Sequence, residues 1–137
     1  MRPVLVDSNV ILDVATMDAV WGTWSEARVR VLADQTTLII NPLIYAEVSV
    51  RYETVEELEG VVPAEVFRRD ALPYEAALLA GKCFRAYRRR GGTRRSPMPD
   101  FYIGAHAAVS GYRLLTRDAG RYRSYFPSVD LIAPRAQ

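Results

Sequence analysis

The sequence predicts an α/β fold in three layers, a short central parallel sheet flanked by helices. Three observations carry this. Short, mainly apolar runs recur in RPVLV, TLII, RLLT and VDLIAP, as a strand buried on both faces requires. Longer stretches with apolar residues at helical spacing separate them. Helix-starting and helix-stopping residues mark the joints, among them Asn41-Pro42, Thr54 with Glu57, Gly91-Gly92 and Gly111.

In chain order, RPVLV is a buried strand and NVILDVAT a helix or helical turn after it. AVWGTWSEARVRVLADQT spaces Val20, Trp24, Ala27 and Val31, with Leu32 beside them, as the buried side of a helix. TLII is the second strand. NPLIYAEVSVRY follows as a helix, with Asn41 as N-cap and Pro42 at its first position. TVEELEGVV has Thr54 and Glu57 at capping-box spacing. PYEAALLAGKCFRAYRRR is the longest predicted helix, closed by Gly91-Gly92. A proline-rich loop in RSPMPDFYIGAHAAVSG opens a helix that ends at Gly111. RLLT is the third strand, DAGRYRSYF a short helix and VDLIAP the last strand.

The length of 137 residues suits one domain, residues 1–137, and an apolar half is enough for a core. No apolar stretch approaches the roughly 20 residues of a membrane helix. The start meets Asp7 too early for a signal peptide. Cys83 is the only cysteine, which excludes an internal disulfide framework and fits a reducing cytoplasm with no membrane contact. It falls in the apolar part of a helix and reads as core. Lys82 is the only lysine among 18 basic residues. Arginine's planar fork suits phosphate, although a GC-rich coding bias gives the same composition.

In a parallel sheet of this kind, ligands bind beyond the carboxyl ends of the strands. Asp7 follows the first strand directly, and Asp118 follows RLLT with Thr116 and Arg117 between. Asp100 stands at the start of a helix after Pro99. Each of these aspartates alone is equally explained as a helix cap or a charge favoured by the helix dipole. Glu47 is different. At about 100° per residue, Leu43, Ala46, Glu47 and Val50 share one face of their helix, opposite Tyr45, Ser49 and Tyr52. A lone carboxylate on a core-facing stripe is costly unless paired or bound to a cation. The competing explanation is an i,i+4 pair with Arg51. Four acids with no histidine–cysteine cluster suit a hard cation, Mg²⁺ or Mn²⁺, rather than zinc. His106, the only histidine, lies roughly 240° around its helix from Asp100 and reads as structural.

LVDSNVILD, PLIYAEV and PDFYIGAHAAVSGYRLLTRDAGRY together resemble the PIN-domain ribonucleases, specifically the VapC-type toxins of bacterial toxin–antitoxin pairs. The resemblance spans essentially the whole chain. It implies a PIN-like fold whose acid pocket holds Mg²⁺ or Mn²⁺. It implies hydrolysis of RNA phosphodiester bonds, a cognate antitoxin protein as partner, and a homodimer. Asp7 matches the family's first aspartate, Ser8-Asn9 the polar pair after it, and Glu47 the helix glutamate. Asp100 matches the aspartate that opens the penultimate long helix. Thr116 and Asp118 match the small hydroxyl residue and the last acidic position. Asp7, Glu47, Asp100 and Asp118 are thus the expected catalytic and metal-holding residues, with Ser8, Asn9 and Thr116 holding them in place. The chain departs from many relatives where an acid and an aromatic follow; Arg121-Tyr122 stand there instead.

FRAYRRRGGTRRSP adds Arg88, Arg89, Arg90, Arg94 and Arg95 upstream of Asp100, candidates for gripping RNA phosphates. Tyr87, Phe101 and Tyr102 are candidates for stacking bases. An exposed helix end, where arginine complements the dipole, explains the same cluster. Other classes fit less well. A haloacid-type phosphatase needs an aspartate where Asn9 stands. A receiver domain needs an acidic pair before its first strand and a late lysine, and neither is present. A catalytically weak or inactive PIN-like module that binds RNA or a partner stays open as the alternative.

Overall fold

The computed structural model describes residues 1–135. Its strands are β1 (Val4–Val6), β2 (Leu38–Ile40), β3 (Phe67–Arg69), β4 (Arg113–Leu115) and β5 (Leu131–Ile132). Its helices are α1 (Ser8–Thr16), α2 (Gly22–Gln35), α3 (Pro42–Ser49), α4 (Val55–Val61), α5 (Tyr74–Arg89), α6 (Pro99–Ser110) and α7 (Gly120–Tyr125). The five strands form one sheet in the order β3-β2-β1-β4-β5, every neighbouring pair parallel. Each residue of β1 and β2 is buried, so these strands carry no polar face.

Local signals start the helices. Asn41 Oδ1 accepts from the Ile44 backbone N–H at 3.0 Å with Pro42 next in the helix. Thr54 and Glu57 form the reciprocal capping box of α4. Gly111 ends α6 at φ 69°, a left-handed conformation that favours glycine.

The structure corrects three expectations. Sequence reasoning missed β3: only Phe67 is buried, while Arg68 and Arg69 are exposed, so this edge strand has no apolar run to read. The second helix begins at Gly22, not before Val20. Val20 is 78% exposed in a turn where Asp18 accepts from the Val20 and Trp21 backbone N–H groups. Val31 is also exposed, and α2 buries only Ser25 and Leu32. On α3 the fully buried residues are Ile44 and Val48, whereas Val50 lies beyond the helix end at 85% exposure. Leu43, Ala46, Glu47 and Val50 are therefore not the core stripe.

α6 runs through the core and packs against α5, α7 and α3. Gly104 on α6 sits under the buried ring of Phe126, and a Cβ there would lie 2.4 Å from Phe126 Cδ2. Gly104→Ala is expected to destabilise the fold by about 1–3 kcal/mol, because the ring has to move inside a close-packed core. Urea unfolding of the variant checks this.

Candidate active site: an acid pocket at the sheet switch point

The chain runs from β1 to β2 on one side and returns to β4 on the other, so the strand order reverses between β1 and β4. A doubly wound sheet opens a crevice at the carboxyl ends there. Asp7 leaves β1 into that crevice, and Thr116 to Asp118 leave β4 beside it. The Asp7 backbone N–H donates to Leu115 O at 2.9 Å, which ties the two strand ends together.

A cavity of about 300 Å³ opens at this point, lined by Asp7, Ser8, Asn9, Glu47, Pro99, Asp100, Ile103, Asp118 and Tyr122. Asp7, Glu47, Asp100 and Asp118 thus meet at one pocket from four parts of the chain. Asp7 is buried and accepts three hydrogen bonds in a fixed pattern: Oδ1 faces the Ser8 backbone, and Oδ2 faces Thr116 and Tyr122. The Ser8 backbone N–H donates to Oδ1 at 2.8 Å, so Asp7 does cap α1. Thr116 Oγ1 at 3.0 Å and Tyr122 OH at 2.8 Å donate to Oδ2. The cap and pocket roles coexist because each uses a different carboxylate oxygen.

Ser8 and Asn9 extend the network. Ser8 Oγ donates to Glu47 Oε1 at 3.0 Å, which draws Glu47 of α3 toward the start of α1. Asn9 Nδ2 donates to Thr116 Oγ1 at 3.3 Å, and Asn9 Oδ1 accepts from the Arg117 backbone N–H at 3.4 Å. Thr116 Oγ1 also accepts from the Asp118 backbone N–H at 3.2 Å. Asp118 itself is exposed at the pocket rim. Arg51 is exposed and makes no ion pair among the described residues, so Glu47 is not neutralised along its own helix.

Burial pushes the Asp7 carboxyl above its ordinary value, against the pull of its three hydrogen-bond donors, and the Asp100 charge adds to the rise. Glu47 is raised for the same first reason, with the charges of Asp7 and Asp100 adding to it. Tyr122 is raised well above the usual tyrosine range by burial and by Asp7, so it stays a neutral hydrogen-bond donor.

Sequence reasoning missed three groups. Tyr122, which the sequence marks only as part of a departure from the family pattern, holds Asp7 across 115 residues, and nothing local in the sequence points to it. Arg121 pairs with Asp100 Oδ2 at 2.9 Å. Asp13, buried on α1, accepts from Ser25 Oγ and Arg117 Nε, both at 2.8 Å. That bridge pins the β4–α7 loop, and with it Thr116 and Asp118, to α1. A charge inside the apolar run NVILDVAT was the sign of it. His106 lies buried outside the pocket, its Nδ1 accepting from Asn41 Nδ2 at 3.0 Å, and burial lowers its pKa. Asn41 Oδ1 is already committed to Ile44, which fixes Nδ2 as the donor.

The donor set is oxygen only, and Asp7 and Glu47 in it are carboxylates whose charge burial and neighbouring acids disfavour. It suits a hard cation. Among the described residues no three acidic, histidine or cysteine side chains stand as a ready ligand cluster.

The chain matches no family model and no curated protein by sequence. Its structure is similar to chains solved in VapBC complexes. One is VapBC2 from Rickettsia felis bound to a DNA fragment from their promoter, with TM-score 0.73, 13% identity, and coverage of 96% of this chain and 98% of that one. Another is VapBC-1 from nontypeable Haemophilus influenzae, with TM-score 0.72, 14% identity, and coverage of 96% and 97%. A third is DNA-bound VapBC from Salmonella typhimurium, with TM-score 0.68, 18% identity, and coverage of 97% and 98%. The parallel sheet, its flanking helices and these likenesses define a PIN-like fold. The chain thus shares the fold of chains found in these VapBC complexes.

Proposed function

We propose that this chain is an Mg²⁺- or Mn²⁺-dependent endoribonuclease, the toxin of a type II toxin–antitoxin pair, which hydrolyses RNA phosphodiester bonds. The observation that supports it most is the meeting of Asp7, Glu47, Asp100 and Asp118 at the switch-point crevice. Those four acids would hold the cation. When bound, it would supply Lewis-acid stabilisation of charge on the phosphate and a more acidic water.

The chain's own residues do the rest. Tyr122, Thr116 and the Ser8 backbone fix both oxygens of Asp7, so the carboxylate needs no reorientation when substrate arrives. Glu47, half-buried and raised in pKa, would accept a proton from an attacking water. Ser8 and the Asp13–Arg117 bridge hold α1, α3 and the β4–α7 loop in register around the pocket. The arginines at 88–90 and 94–95 grip the RNA backbone. The VapBC neighbours support an antitoxin as partner, and a homodimer completes the reading. No described helix is long and apolar enough to cross a membrane.

One observation favours the alternative, a catalytically weak PIN-like module: the Arg121 guanidinium already engages Asp100. Cleavage of single-stranded RNA separates the two. The expected result is endonucleolytic cuts with Mg²⁺ or Mn²⁺, none in EDTA, and recovery when the ion is restored. RNA binding without cuts under every condition would establish the module instead.

A further inference from the structure

We propose that Arg121 is the built-in counter-ion of the acid pocket, seated where a divalent cation draws on Asp100, and that it sets how tightly the pocket holds that cation. This rests on the pocket being a cation site. Among the described residues, Arg121 is the only basic side chain in an ion pair with any of the pocket's acids, and it reaches Asp100 Oδ2 at 2.9 Å.

The guanidinium is lodged by more than Asp100. Nη1 lies 3.2 Å from Met98 Sδ. The guanidinium carbon lies 5.8 Å from the Tyr87 ring centroid and 5.6 Å from that of Phe101. Aromatic faces attract a guanidinium without neutralising it. A cation entering the pocket therefore competes for the Asp100 carboxylate alone, and Arg121 keeps its other seats once displaced. Its charge, still beside the site, also repels the incoming ion. Both effects lower cation affinity. The two side chains are 36% and 29% exposed, so solvent screens the pair and the effect is moderate.

The test is Mn²⁺ binding to the full chain without RNA, read from the loss of the free-Mn²⁺ EPR signal. Arg121→Gln is expected to bind Mn²⁺ about three- to tenfold more tightly than wild type. Arg121→Met, which keeps apolar contact with the Tyr87 and Phe101 rings, guards against a Gln variant that fails to fold, and should behave alike. Arg121→Lys retains the charge beside Asp100, though not the stacked guanidinium, and should stay closer to wild type than to the Gln variant. Asp7→Asn should lose the binding, which locates the measured ion at this pocket. Unchanged or weaker affinity in both Gln and Met variants, with wild-type binding intact, overturns the role of Arg121 and leaves the cation site standing. A Lys variant as tight as Gln overturns it too. No Mn²⁺ binding by wild type or any variant at millimolar ion removes the cation site, and the inference with it.

Discussion

Asp7→Asn is expected to abolish RNA cleavage while leaving the fold as stable at neutral pH, or more so. Groups that merely orient a metal ligand cost 10- to 100-fold when lost, so a direct ligand should cost more than about a hundredfold. The fold should tolerate the change. Asparagine keeps Oδ1 for the Ser8 backbone N–H and presents an amide to Tyr122 OH, which can accept, while Thr116 Oγ1 keeps the Asp118 carbonyl as an acceptor for its own proton. It also removes a buried charge that the protein holds at a cost. The sign follows from the raised carboxyl: the folded state binds a proton more readily than the unfolded chain does. The contribution of Asp7 to stability is therefore fully present below its ordinary value of 3.8 and is lost as pH rises through its higher folded value. Glu47 acts in the same direction from 4.5. The variant should thus gain on wild type most at neutral pH, and the gap should narrow as pH falls. Thermal melts across pH, run without divalent ion, read this directly. A variant that melts several degrees below wild type at pH 7 would show Asp7 to be a structural cap first.

Replacing Arg88, Arg89 and Arg90 together with alanine is expected to weaken RNA binding strongly at low salt and to leave the cleavage position unchanged. Phosphate contacts act by counterion release, worth about 0.7 in the log–log salt slope per contact on a single strand. They position the substrate rather than select its sequence. Three independent contacts would flatten the slope by about 2, but the structure lowers that expectation. Arg88 Nη1 already donates to Arg94 O at 2.7 Å, and Arg90 lies over the Tyr125 ring at 4.8 Å from its centroid. Arg89 is exposed and ends α5. A fall of about 1 to 2 is the expected range. The Tyr87 hydroxyl, which accepts from the Thr93 and Arg94 backbone N–H groups, should keep the loop in shape in the variant. Binding isotherms over a salt series measure the slope. Unchanged RNA affinity and slope alongside weaker antitoxin binding would assign the loop to the partner interface.

The amino-acid sequence by itself determined the features that are decided within a few residues. Strands β1 and β2 are apolar runs that water rejects from both sides, and β4 carries the buried pair Leu114 and Leu115. Asn41-Pro42, the Thr54–Glu57 box and Gly111 satisfy or release backbone groups locally, so they start and stop helices wherever the rest of the chain goes. The parallel alternation followed, and with it the crevice where Asp7 and Asp118 had to lie. An edge strand with one inward side chain, Phe67, gave no pattern to read. The helix spacing puts Glu47 on a face that the protein does not bury. What holds Glu47 is Ser8, 39 residues away, across the packing of α1 on α3. The roles of Arg121, Tyr122 and Asp13 likewise appear only in three dimensions: Arg121 reaches back 21 residues to Asp100, Tyr122 reaches 115 to Asp7, and Arg117 reaches 104 to Asp13. Side-chain polarity along a chain records what must avoid water. Which charge meets which is decided by the strand order and by the helices packed across it, because a hydrogen bond or ion pair acts over only a few ångströms.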